Sequence, residues 1–370
     1  MPHERKRHSA QLISRLAALW PAVGILGLRQ VGKTTLLRNQ LEVKNLISFD
    51  DEEILDEARL SAKNFLSKLQ TPVILDEVQK VPAIFDAIKL QVDKKRIPGS
   101  YYLTGSSVFS GKLGIRESLT GRIGQVILHP FSLAEAHQKI LDAKRAKFFH
   151  LEKPRFSLAE AQFHFSNGRI PVPAILTADS QPESYFQSWL ETTIIRDVSR
   201  VFGKGYDPDV SWSLLRQWKT ILNEGEFASV RRFKQDSRKV KKYLAAFADV
   251  FLIRKIPCHE QGVGDDVWVF SDSGIARFVA GTAFGEGASL SLARTGILNE
   301  ISALFEYSGH PLRPIHYKSA RGSPVDFVSD KTALKITMHS VSGLSYDERA
   351  LAGAMKKLGF KTSKWNIRPN

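Results

Sequence analysis

At 370 residues, with 43% apolar and 25% charged side chains, the chain is long enough for two or three domains that each bury a core, and three are expected. A single cysteine, Cys258, excludes a disulfide framework and any cysteine-rich zinc site, and suits a reducing cytoplasm. The formal net charge of +15 is spread along the chain and points to an anionic partner, with nucleic acid the first candidate.

The N-terminus carries Arg5-Lys6-Arg7 ahead of an apolar stretch over 16–28, which imitates a secretory signal. Pro21 interrupts that stretch, and it falls short of the roughly 20 residues a membrane span needs. A buried first strand is expected there instead, and no membrane segment.

From 22 to 128, short apolar runs alternate with longer segments of helical period, the pattern of an α/β three-layer sandwich. Strands are expected at 22–27, 45–50, 72–76, 100–104 and 123–128, and the helical connections between them require parallel pairing. The hexapeptide Phe131-Ser132-Leu133-Ala134-Glu135-Ala136 recurs at 156–161, and in each copy Ser followed three residues later by Glu reads as a capping box that starts a helix. Between the copies, 139–153 is charged and aperiodic.

Asn167-Gly168 with Pro171 and Pro173 marks a turn-rich crossing. Helical period dominates 181–248, broken at Gly203-Lys204-Gly205 and Asn223-Glu224-Gly225. From about 257 the pattern turns α/β again, with strands expected at 267–270, 325–328 and 333–338 and a helix at 297–307. The expected domains are 1–130, 131–256 and 257–370.

Gly27-Leu28-Arg29-Gln30-Val31-Gly32-Lys33-Thr34 has the spacing of a phosphate-binding loop and lies between a strand and a helix, as the chemistry requires. Backbone amides at the helix mouth face the phosphates, the glycines permit the tight path, and Lys33 reaches the terminal phosphates. Thr34 is the candidate magnesium ligand, and Thr35 continues the binding surface. ATP and Mg²⁺ are the ligands expected.

The apolar strand Val73-Ile74-Leu75 ends in Asp76-Glu77. Asp76 is the candidate for the Mg²⁺ shell and Glu77 for orienting and deprotonating water; an Asp-Glu pair on its own is also a common helix cap. The strand ending at Asp50-Asp51 intervenes in sequence, which is the additional-strand arrangement that includes the AAA proteins. The strand ending at Thr104 then belongs between the two motifs in space, with Thr104 or Ser106 a nucleotide sensor or part of a polar turn. Arg122 is a candidate charge-stabilising arginine, acting in its own or a neighbouring subunit, or a surface residue.

The segment 231–244 carries seven basic residues. As a helix-turn-helix it would place Phe227, Val230 and Phe233 in the core from a first helix and Val240, Tyr243 and Leu244 from a second. Arg238, Lys239, Lys241 and Lys242 would then face phosphates without reading sequence; a solvated basic helix is the alternative.

With these residues in view, nearly the whole chain resembles a widespread prokaryotic family of AAA-type P-loop ATPases that end in a restriction-endonuclease-like domain of unknown function. The likeness rests on 28–37, Phe49-Asp50-Asp51, 74–82, 103–107, Ser118-Leu119-Thr120-Gly121-Arg122, 130–135, Trp189-Leu190-Glu191-Thr192 and Arg196-Asp197. The resemblance implies a winged-helix segment at 240–251 and the start of the last domain near 270–276. Its nuclease pattern would use Glu300, Asp326 and a Glu-x-Lys, but Lys335 and Thr337 stand at the last two positions, so that domain is expected to be inactive. The glycine pair typical of the middle region is altered to Gly168-Arg169.

The leading expectation is Mg²⁺-dependent ATP binding and hydrolysis used as a switch or motor, acting with nucleic acid and in a homo-oligomer. A DNA-binding or protein-scaffold module gated by ATP, contacting a protein partner through the C-terminal domain, is the alternative. A metal-dependent nuclease comes last.

Overall fold

Every position of the first strand, β1 (Ala22–Leu26), is buried, as expected of a strand covered on both faces of a parallel sheet. It lies inside a five-stranded parallel sheet with β2 (Asn45–Ser48), β3 (Val73–Asp76), β4 (Tyr101–Gly105) and β5 (Ile123–Ile127), in the order β2-β3-β4-β1-β5. The computed structural model describes residues 4–109, 119–138, 158–175, 182–284, 289–309, 314–318, 325–329 and 332–334. Ser118, the charged stretch 139–153, the second capping-box serine at 157, and Lys335 and Thr337 lie outside the described residues.

All five expected strands are present and parallel, and β4 lies between β1 and β3. The apolar stretch 16–28 is divided at Trp20-Pro21: its first part closes helix α1 (Ser9–Leu19) and its second is β1. Helices α2 (Lys33–Asn39), α3 (Glu52–Leu60), α4 (Ala62–Ser67) and α5 (Ala83–Lys94) complete the layers. Asp51 starts α3 by accepting from the amides of Glu53 and Ile54.

Helix α6 (Leu133–Ala136) begins with the expected capping box: Ser132 accepts from Glu135 N, and the Glu135 carboxylate accepts from Ser132 N. Beyond it come α7 (Leu158–Asn167), α8 (Pro182–Thr192), a π-helical segment (Thr193–Val198) and α9 (Ser199–Phe202). Helix α10 (Pro208–Asn223), capped by Asp207 with Pro208 in its first turn, leads to α11 (Ser237–Asp249).

The expected first helix through Phe227, Val230 and Phe233 is absent. Gly225, with φ 75°, turns the chain after α10, and Ala228 pairs as an isolated bridge with Trp268. Only a 3₁₀ turn, Val230–Arg232, follows. The sheet bridge satisfies the Ala228 carbonyl with Trp268 N at 2.8 Å, so this stretch needs no helix. Phe233 is still buried, 5.5 Å from the Trp218 ring. Val240, Tyr243 and Leu244 are buried from α11 as expected.

Strands β6 (Ile253–Ile256) and β7 (Val267–Phe270) form an antiparallel pair after α11. They are followed by α12 (Ser273–Ala280), α13 (Leu290–Ser308) and a three-stranded antiparallel sheet of β8 (Ile315–Tyr317), β9 (Val325–Ser329) and β10 (Thr332–Leu334). One hydrophobic cluster runs from Ile13 through the sheet and the helices to Tyr307, so the regions pack as neighbours. Glu306 and Tyr307 of α13 accept from the amides of Ile127 and His129 at 2.8 and 2.9 Å, docking that helix on the end of β5. No described helix is long and apolar enough to cross a membrane.

Candidate nucleotide site

Parallel strands all end at the same edge of a sheet, so the order β3-β4-β1 gathers the ends of three strands at one place. The chain leaves β1 at Gly27, whose φ of 151° and position against Leu128 leave no room for a side chain: a Cβ there would lie 2.3 Å from the Leu128 carbonyl oxygen. Leu28 and Val31 are buried and anchor the loop. Gln30 (φ 61°) and Gly32 (φ 93°) turn it left-handed into the first residue of α2, Lys33.

The Lys33 ammonium is buried and donates to the Gly27 and Leu28 carbonyls, both at 3.1 Å. Burial pulls its pKa down, against the opposing pull of Glu77, Asp76 and Asp197. Thr34 Oγ1 donates to Asp76 Oδ1 at 3.1 Å, and Thr104 Oγ1 donates to the same oxygen. Next to it, Glu77 sits in a left-handed backbone conformation (φ 57°). Its Oε2 accepts from Ser106 Oγ at 2.9 Å and from the Gln79 amide. Burial raises the Glu77 pKa, with Lys33 and the Ser106 and Gln79 hydrogen bonds opposing.

Lys33, Thr34, Asp76, Glu77, Thr104 and Ser106 are thus brought together, and Thr35 is exposed on the rim. Arg122 is not among them. It precedes β5, at the opposite edge of the sheet, and grips Asp93 of α5 through Nε at 2.7 Å and Nη2 at 2.9 Å. Arg29 is not among them either, its Nη1 lying 3.5 Å from Asp197.

A cleft of about 300 Å³ opens above the loop. Besides the expected residues it is lined by Arg5, Arg7, Phe131, Pro171 and Val172, none of which the sequence marked as part of the site. Arg7 is buried, donates to Val31 O at 3.0 Å and to His129 O, and lies 3.3 Å from Glu135. Burial favours a neutral Glu135, yet Arg7, His8 and the Ser132 amide outweigh it and hold the carboxylate below its usual range. In sequence Arg7 was one charge in a basic trio, and nothing local told it from its neighbours. Gln79, two residues after Glu77, was visible only as part of a family string.

The basic residues Arg238, Lys239, Lys241 and Lys242 are exposed on α11, with the Lys242 ammonium 4.0 Å from the centre of the Phe202 ring. The two acids of the nuclease pattern are each engaged by arginine. Glu300 pairs with Arg169 and accepts from Leu133 N, and buried Asp326 pairs with Arg294. Arg169, at the altered glycine pair, therefore has a partner in α13.

Loop, acidic pair and strand order together are those of a P-loop fold. Residues 20–137 match the family model of the AAA domain. The five-stranded parallel core has the P-loop fold, and over these residues it is similar to the AAA domain. Two curated relatives, the uncharacterized proteins Rv2008c of Mycobacterium tuberculosis and Mb2031c of Mycobacterium bovis, are each 30% identical over 255 residues, 68% of this chain and 53% of theirs. The chain spans about half the length of those relatives. Among solved structures, the chain is similar to the Walker-type ATPase paby2304 of Pyrococcus abyssi, at 16% identity and a TM-score of 0.42, over 74% of this chain and 95% of that one. A RuvB variant from Thermotoga maritima is 17% identical with a TM-score of 0.32, over 67% and 89%.

Proposed function

We propose that the protein binds ATP at the loop 27–34 and hydrolyses its terminal phosphoanhydride, using the cycle as a conformational switch. One observation carries the proposal: Asp76 Oδ1 accepts from both Thr34 and Thr104, with Glu77 beside it, at the mouth of the helix that begins with Lys33. Backbone amides and Lys33 would bind the phosphates; Glu77 would orient the attacking water and take its proton; Thr104 and Ser106 would hold the two carboxylates in place. The hydroxyl of Thr34 and the carboxylate of Asp76 are hard oxygen donors suited to Mg²⁺, which supplies charge neutralisation on the phosphate oxygens when bound.

Phosphate release by wild type, Lys33→Ala and Glu77→Gln tests this. Turnover is expected only in the wild type, with nucleotide binding kept in Glu77→Gln; equal release from all three ends the assignment. Arg122 would serve only the site of another copy, exchanging Asp93 for a phosphate. That role requires a homo-oligomer, which mass measurement with and without nucleotide would detect.

A nucleic-acid partner is the second part of the proposal. The order α10, bridge, short turn, α11 and antiparallel pair β6-β7 supports a winged-helix arrangement with the basic face of α11 outward. The would-be wing is less suited to phosphates. It carries Asp265 and Asp266, engaged by Arg231 and Lys255, and it is tied to the C-terminal sheet by His259 N to His316 O and Val263 N to Lys318 O, each 2.8 Å. Contact would then fall to Arg238, Lys239, Lys241 and Lys242, giving salt-sensitive binding without sequence preference. Duplex binding that is insensitive to salt, or unchanged when all four are neutralised, contradicts this part.

The arginine pairing of Glu300 and Asp326 supports a C-terminal domain that holds a protein partner or its own helices and does not cleave nucleic acid. Plasmid cleavage dependent on those two acids would overturn that view.

A further inference from the structure

The outer side of the phosphate loop is held by side chains that neither the loop motif nor the acidic pair includes. Trp189 Nε1 of α8 donates to the Arg29 carbonyl at 3.4 Å, and Tyr185 Oη donates to Gln30 Oε1 at 2.7 Å. Asp197, on the π-helical segment that extends α8, lies 3.5 Å from Arg29 Nη1 and accepts from Arg196 Nε at 2.9 Å. Its carboxylate is 95% buried, where the rule for a charge is that it must be paired. The same carboxylate is near enough to Lys33 to act on its ammonium.

The helical irregularity has a local use. A π turn is rare, adds a residue to the helical circuit and recurs where a side chain must be re-aimed for function. Here it directs Asp197 at the loop while Thr193, Ile194 and Val198 are also buried. Directly after it, Phe202 packs 4.5 Å from the Tyr243 ring of α11 and beneath Lys242.

We infer that Asp197 is a positioning residue for the phosphate loop: through Arg29 it fixes the outer side of the loop so that its inner face is ready for a nucleoside triphosphate. The inference rests on nucleotide binding at that loop. Without the carboxylate, Arg29 and Arg196 lose their shared anion, and the loop must be ordered at the expense of binding. Arg29 does not line the cleft, so Arg29→Gln acts on binding through loop geometry, whereas Asp197→Asn also changes the charge near Lys33.

The test is equilibrium binding of Mg-ATP to full-length wild type, Asp197→Asn, Arg29→Gln and the double variant, with Lys33→Ala as the reference for the loop and thermal melting without nucleotide as the reference for folding. Asp197→Asn and Arg29→Gln are each expected to weaken binding about tenfold, and the double variant no further, because the two residues act as one pair. A loss in the double variant equal to the product of the single losses overturns the inference, as does unchanged affinity in either single variant. If Asp197→Asn does not fold, Arg29→Gln alone decides, since it removes the same pair from the loop side. Wild type that fails to bind Mg-ATP sinks the nucleotide site itself, whereas a binding wild type with indifferent variants sinks only the role of Asp197.

Discussion

Gly27 shows how little freedom a single position has in this loop. With φ at 151° and the Leu128 carbonyl 2.3 Å from where a Cβ would stand, Gly27→Ala must move backbone, and a loss of about 2 kcal/mol of stability is expected in denaturant melts, together with loss of nucleotide binding. Thr104 acts differently, since its hydroxyl holds Asp76 and its backbone lies safely inside β4. Thr104→Val keeps shape and burial, so folding should persist while turnover falls about tenfold or more with little change in nucleotide affinity. Equal turnover in wild type and Thr104→Val would remove the residue from the machinery. The placement of these residues was legible in part: a glycine, a lysine and two acids at fixed spacing mark the end of one strand, the start of a helix and the end of a neighbouring strand. Arg7 and Asp197 reach the loop only through the fold, from 24 and 168 positions away by number; no local signal marks Arg7, and Asp197 was visible only as part of a family string.

Among the elements, parallel strands were the easiest to anticipate, because an all-apolar run such as 22–26 suits only a strand covered on both faces. The order β3-β4-β1 also followed from the two motifs and their intervening strand. The segment 227–233 was misjudged because its apolar spacing, Phe227, Val230 and Phe233, fits a helix, while the decisive partner, Trp268, lies 40 positions from Ala228. The π segment could not be anticipated, since the β-branched Thr193, Ile194, Ile195 and Val198 mark no particular helical distortion, which follows from packing. At this scale α11 offers a separate test. Asp236 accepts from the amides of Arg238 and Lys239, so Asp236→Ala should cost about 1 kcal/mol and loosen the start of the basic helix. Amide exchange at 238–239 should quicken accordingly; unchanged protection would show that packing alone fixes that end.

For the whole molecule, burial of histidines makes stability depend on acid. His164 is pulled down to about 4 by burial, with Arg169 and His137 adding to the effect, and burial also lowers His129 and His316. In the unfolded chain these rings take a proton near pH 6.5, so the native state loses ground as pH falls from about 6.5 toward 4. From His164 alone the loss is about 3 kcal/mol, to be read as the difference in denaturant stability between wild type and His164→Gln at pH 7 and pH 4.5. Identical pH slopes in the two would contradict it. The shared core and the docking of α13 on β5 put the loop 27–34, the basic helix and the C-terminal region in mechanical contact, which the proposed switch requires. All of that presupposes a bound nucleotide, and calorimetric titration of Mg-ATP into the folded full-length protein addresses it most directly. Saturable uptake of one nucleotide per site, abolished by Lys33→Ala, is the predicted result; no heat of binding from wild type whose melt shows it folded would contradict the account.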